Sequence, residues 1–161
     1  MNSTRRTVLT VLVALALVLA IAPVASAGEL EGPTVKVAGE VQITQDGTKV
    51  FAAFEAKSTG PAVAGMDHQP AEGVLTYRDA NGLRFKVSVA HIHAHSANEV
   101  HFGGVIVKAS DPSLIGMHAH MVAVDNGKQD DRFSVLLTAA DTHEHAPPVL
   151  VERGELVVKV R

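Results

Sequence analysis

The chain has 161 residues, 14 basic and 17 acidic side chains, nine histidines and no cysteine. A formal charge of −3 leaves no basic footprint for nucleic acid, and the absence of cysteine excludes disulfide cross-links.

Residues Met1 to Ala27 read as a secretory signal. Arg5-Arg6 form a basic start, Val8 to Ala22 is almost uninterruptedly apolar, and Ala25-Ser26-Ala27 is a small-residue cleavage site. Cleavage after Ala27 is expected, leaving Gly28 to Arg161 as a single all-β domain, secreted or held in the cell envelope. The alternative, retention as a membrane anchor, is opposed by the shortness of the apolar stretch and by Pro23. Thr4-Arg5-Arg6-Thr7-Val8-Leu9 also resembles a twin-arginine export signal. The strongly apolar segment and the lack of a basic residue before the cleavage site favour the general secretory route. Loss of Arg5 and Arg6 takes the formal charge from −3 to −5.

From Gly28 onward the pattern is period-two, with turn residues at short, fairly even spacing. The expected strands are Val35 to Thr44, Lys49 to Lys57, Gly73 to Arg78, Leu83 to His95, Val100 to Ala109, Gly116 to Val124, Arg132 to Thr138 and Val149 to Val160. Asp46-Gly47 and Asn81-Gly82 mark tight turns, the latter of the kind that favours two-residue hairpins. Ser58 to Pro70 forms the first long loop, and a second, with His143, His145 and Pro147-Pro148, precedes the last strand. Short connections pair neighbouring strands, so the simplest architecture is an eight-stranded antiparallel meander. Closure into an up-and-down β-barrel, which removes exposed edges, is favoured over a two-sheet sandwich.

Seven histidines fall in alternating runs: His91-Ile-His93-Ala-His95, His118-Ala-His120 and His143-Glu-His145. Residues two apart on a strand share a face and lie ~6.5 Å apart. Leu83, Phe85, Val87 and Val89 make the odd positions of the fourth strand its core face, so His91, His93 and His95 are expected to continue that face toward one rim. His118 and His120 share parity with Val122 and Val124, and His143 and His145 with Phe133 and Val135. A bulge would reverse this parity. Following the meander, His91, His93, His95, His101 and His68 gather at one end, and His118, His120, His143 and His145 at the other.

All nine histidines are therefore candidate ligands for Zn²⁺, Cu²⁺ or Ni²⁺, for which neutral imidazole is a good donor. Met66, Met117 and Met121 offer thioethers that suit Cu(I), although Met117 and Met121 read better as packing residues. Asp67, Glu99 and Glu144 are candidate supporting carboxylates. Asp125, Asp130 and Asp131 lack the spacing of a calcium loop and read as a solvated turn. Ser88, Ser96 and Ser134 sit in no nucleophile elbow, so no catalytic residue is assigned. His-x-His on a β-scaffold resembles copper–zinc superoxide dismutase, but only in that tripeptide. The alternative to metal binding is a cell-surface adhesion or structural module that meets an extracellular or cell-envelope partner, its histidines incidental or pH-responsive. A copper or zinc metalloenzyme is the more distant reading.

Gly73-Val-Leu75-Thr-Tyr77-Arg-Asp79, Val100-His-Phe102-Gly103-Gly104, Val122-Ala-Val124-Asp125-Asn126-Gly127, Asp131-Arg-Phe133-Ser134-Val135 and Gly154-Glu-Leu156 together resemble the secreted post-COAP domain of bacterial surface and exported proteins. The resemblance covers Val35 to Val160 and rests on turn and strand residues. It implies an exported all-β module and no established activity, with the histidine runs peculiar to this chain.

Overall fold

The computed structural model describes residues 33–62, 67–127, 130–142 and 144–161. The expected secretory signal, Met66 and His143 lie outside these described residues. Eight strands follow in order: β1 (Val35–Gln45), β2 (Thr48–Ser58), β3 (Gln69–Asp79), β4 (Arg84–Ala94), β5 (Glu99–Ala109), β6 (His118–Val124), β7 (Arg132–Thr138) and β8 (Val149–Val160). Each pairs antiparallel with the next and β8 pairs with β1, so the meander closes as a barrel.

Turn chemistry sets the hairpins. Asp46 and Gly47 both take positive φ, 51° and 76°, between the paired residues Gln45 and Thr48. This two-residue turn matches the twist of its strands. Asn81-Gly82 does not repeat it. Gly82 carries the positive φ of that connection, 92°, and the Asp79 amide donates to the Leu83 carbonyl at 2.9 Å. Asp79 Oδ1 also accepts from the amides of Asn81 and Leu83. The loop thus has three residues, closed by a left-handed glycine and held by an aspartate side chain.

Alternate residues fill the lumen. Val35, Val37, Val41 and Ile43 of β1 meet Val50, Ala52, Phe54 and Ala56 of β2 and Leu75 of β3, all buried. Phe54 anchors the centre, stacked on Phe133 with ring centroids 4.7 Å apart and tilted against Phe102 at 5.5 Å. The closing seam is short: β7 and β8 pair only through Arg132 with Leu150 and Phe133 with Val149. Beyond it the Gln45 carboxamide takes the place of a strand, donating from Nε2 to the Val135 carbonyl at 2.7 Å and accepting from the Val135 amide at 3.1 Å. These backbone groups would otherwise be unpaired in a partly buried position.

In β4 the expected core parity fails at one residue. Val89 sits opposite Gly104 and His91 opposite Gly103, so Ala90 is an extra residue in β4. Val87 and Val89 point into the lumen; after the bulge Ile92 is buried and Ala90 is exposed. His91, His93 and His95 therefore project from the outer wall and do not continue the core face. In β6 the core residues are Ala119, Met121 and Ala123, which places His118 and His120 on the outer wall too. Met121 is a packing residue on the opposite face of the strand from these imidazoles.

Glycine makes the bulge possible. A Cβ on Gly104 would stand 1.9 Å from the Ser88 carbonyl oxygen, which no side chain tolerates. Gly104→Ala is expected to destabilise the barrel by about 2–4 kcal/mol in urea denaturation. A loss under ~0.5 kcal/mol would show that the two strands do not approach this closely.

Candidate metal centre

Strand register places the imidazoles in rows across the outer wall of β4, β5 and β6. His91 is level with Gly103 and His120, and His93 with His101 and Val122. Gly103 separates His91 from His120, and it has no side chain to keep them apart. A Cβ there would lie 2.6 Å from His91 Nε2, so the His91 ring occupies the space over the glycine. Its ring centroid stands 5.9 Å from that of His120.

Two loops complete the site. The segment 139–148 doubles back over β6 and β7, held where Ser134 Oγ donates to the Ala146 carbonyl at 2.7 Å and Thr138 Oγ1 to the Ala140 carbonyl at 2.6 Å. It packs against Ser134 and His120, the last only 1% exposed. The same segment brings Asp141 Oδ1 to 3.8 Å from both His118 Nδ1 and His120 Nε2, and the His145 ring to 4.4 Å from His101 and 5.8 Å from His120. Ahead of β3, where the Thr59 amide donates to the Pro70 carbonyl, His68 lies 5.1 Å from His91.

These residues enclose a cavity of about 480 Å³. It is lined by His68, His91, His93, His95, His101, His120 and His145, with Asp67, Asp141 and Thr142. One lone-pair atom from each of His91, His120 and Asp141 lies within 4.8 Å of the others. Donors on a tetrahedral zinc at ~2.0–2.1 Å stand ~3.4 Å from one another. Closing from within 4.8 Å to that spacing calls on Asp141, whose side chain is 55% exposed.

Protons and hydrogen bonds orient the rings. The Thr138 hydroxyl spends its proton on the Ala140 carbonyl, so it accepts from His120 Nε2 at 3.1 Å. That leaves the lone pair of His120 on Nδ1. His101 Nε2 donates to Glu99 Oε1 at 2.8 Å, a carboxylate–imidazole pair of the kind that supports metal ligands. His118 Nδ1 is buried without a hydrogen bond among the described residues, an unsatisfied polar atom beside Asp141. Burial pushes the His91 pKa below its usual value, with the Asp141 carboxylate opposing the shift and His68, His120 and His118 adding to it.

Among the described residues one histidine group forms, not the expected two. The reason is register: β6 begins only at mid-height on β5, His118 opposite Val105 and Val124 opposite Glu99. Segment 139–148 then carries His145 back up the wall instead of leaving it at the far end. Of the other candidates, Glu99 supports His101, Asp67 lines the cavity, and Glu144 is exposed and does not line it. Asp125 and Asp131 accept from the Gly127 and Asn126 amides, which fits a turn. Asp141, Thr138 and Gly103 were not legible as site residues. Only the Gly103-Gly104 pair, inside a strand pattern, signals close backbone approach.

Comparison with family models, curated proteins and solved structures finds no match to this chain.

A depressed His91 pKa means the folded state binds fewer protons than the unfolded chain. The associated stability is present above pH ~6.5 and is lost as pH falls through the lowered value. In an NMR titration His91 is expected below the ordinary histidine value, and Asp141→Asn should lower it further by removing the opposing charge. A His91 pKa at or above 6.5, or one indifferent to Asp141, would contradict this arrangement.

Proposed function

We propose that this chain is an exported β-barrel whose activity is to bind a transition-metal ion, Zn²⁺, Cu²⁺ or Ni²⁺, on its outer wall. The observation that carries the reading is the convergence of His91, His120 and Asp141, whose ligand atoms lie within 4.8 Å of one another in a cavity with five further imidazoles on its lining. Folding gathers these groups from two strands and a loop at the expense of desolvating His120. Two nitrogens and one carboxylate oxygen suit borderline divalent ions, with His68 or His118 beside them as a fourth donor. Met121, buried on the other face of β6, adds no thioether, so this donor set does not specially favour Cu(I). Thr138 sets the His120 ring, and Gly103 makes room for His91.

Support for export comes from the N-terminal pattern of basic start, apolar stretch and small-residue triplet. A chain without cysteine also has no thiol for an oxidising compartment to consume.

Calorimetric titration of the folded protein with Zn²⁺ tests the reading. Binding should be tighter than that of a histidine-tag peptide and should weaken from pH 7.5 to pH 5.5 as protons compete for the nitrogens. At free zinc 100 times Kd the barrel should gain roughly 2.7 kcal/mol of stability. Asp141→Asn should weaken binding at least about tenfold. Gly103→Ala should do likewise by displacing the His91 ring, and since its Cβ also stands 3.0 Å from the Ala119 carbonyl oxygen, affinity is measured on protein shown to be folded. Affinity no better than the tag peptide, or unaffected by both substitutions, overturns the proposal.

A further inference from the structure

We propose that the wall carries a second transition-metal site on the same cavity lining, an outer site formed by His95, His101 and His145 beside the inner one at His91, His120 and Asp141. The inference rests on the metal-binding reading above and extends it from one ion to two.

Donor number is the first argument. A zinc ion takes four ligands, and His91, His120 and Asp141 with one neighbour complete the inner site. That leaves His95, His101 and His145 on the same lining but outside that donor set.

Spacing is the second. Two imidazoles sharing one tetrahedral ion have ring centres ~5 Å apart, from ~2.0 Å metal–nitrogen bonds. His101 stands 5.2 Å from His95 and 4.4 Å from His145, bracketing that value, while His93 is farther at 6.2 Å from His95 and 6.3 Å from His101. The set is drawn from β5, the β4–β5 turn and segment 139–148, so an ion there would tie loop to barrel.

The third argument is the carboxylate behind the ring. Glu99 Oε1 accepts from His101 Nε2 at 2.8 Å, which fixes the proton on Nε2 and leaves Nδ1 as the donor nitrogen. Such a pair orients a ligating imidazole and raises its basicity.

The two sites differ in chemistry. The inner set includes a carboxylate and a ring that is 1% exposed; the outer set has three imidazoles and no carboxylate, with His95 exposed. The outer ion should be the weaker bound and faster to exchange, because its set lacks a carboxylate and includes the exposed His95.

Equilibrium dialysis against zinc alone, with metal counted per folded chain, decides the matter. The wild-type protein should saturate at two ions per chain. His95→Ala combined with Glu99→Gln, an exposed change and a conservative one, should leave one tightly held ion. Asp141→Asn should instead weaken the tighter ion at least about tenfold and leave the looser one. At two equivalents of Cu²⁺ the wild type should also show dipolar broadening in electron paramagnetic resonance that the double variant lacks. Saturation at one ion, unchanged in the double variant, overturns the second site and leaves the first standing. No stoichiometric binding overturns both, and circular dichroism of each variant confirms that the barrel is folded when the count is made.

Discussion

The extra residue in β4 is the constraint on which the rest turns. Ala90 shifts β4 against β5 by one position, and a strand shifted by one exchanges its faces. Below the bulge β4 contributes Phe85, Val87 and Val89 to the lumen; above it the same parity delivers imidazoles to the outer wall. Gly103 and Gly104 lie directly opposite and serve both consequences. Gly104 admits the Ser88 carbonyl, and Gly103 admits the His91 ring. A straight β4 would drive His91, His93 and His95 into a lumen already occupied by Phe54, Phe102 and Phe133, where three imidazoles would be both crowded and desolvated.

The barrel supplies rigidity, and the loops supply closure. His91, His101 and His120 stand on paired strands, where register holds their spacing without further contacts. Asp141, His145 and His68 come from the two long connections, tied down through Ser134, Thr138 and the Thr59–Pro70 hydrogen bond. Rigid donors combined with anchored loop donors suit a site that closes on an ion with side-chain movement alone. No disulfide links loop to wall, so a bound metal would be the strongest cross-link available there.

The strands were readable because alternation, Asp46-Gly47 and the spaced turn residues are local signals, and each expected strand lies within a few residues of its observed bounds. The grouping of the histidines was not readable, because it depends on long-range facts. Nothing at Ala90 itself announces a bulge; its necessity comes from the glycines opposite, in another strand. The short β6 and the return path of segment 139–148 merge two expected groups into one, and neither leaves a mark in hydrophobic periodicity. Asp141 escaped notice for the same reason: it stands alone in a polar loop and acquires meaning only where Thr138 and Ala140 set the loop against the wall.

The most direct test of the account is a crystal structure of zinc-soaked protein with data collected across the zinc absorption edge. The account predicts an anomalous peak ~2.0–2.2 Å from one nitrogen each of His91 and His120 and from an Asp141 carboxylate oxygen. An ordered cavity with no peak at that position, or zinc held only by scattered surface residues, would contradict it.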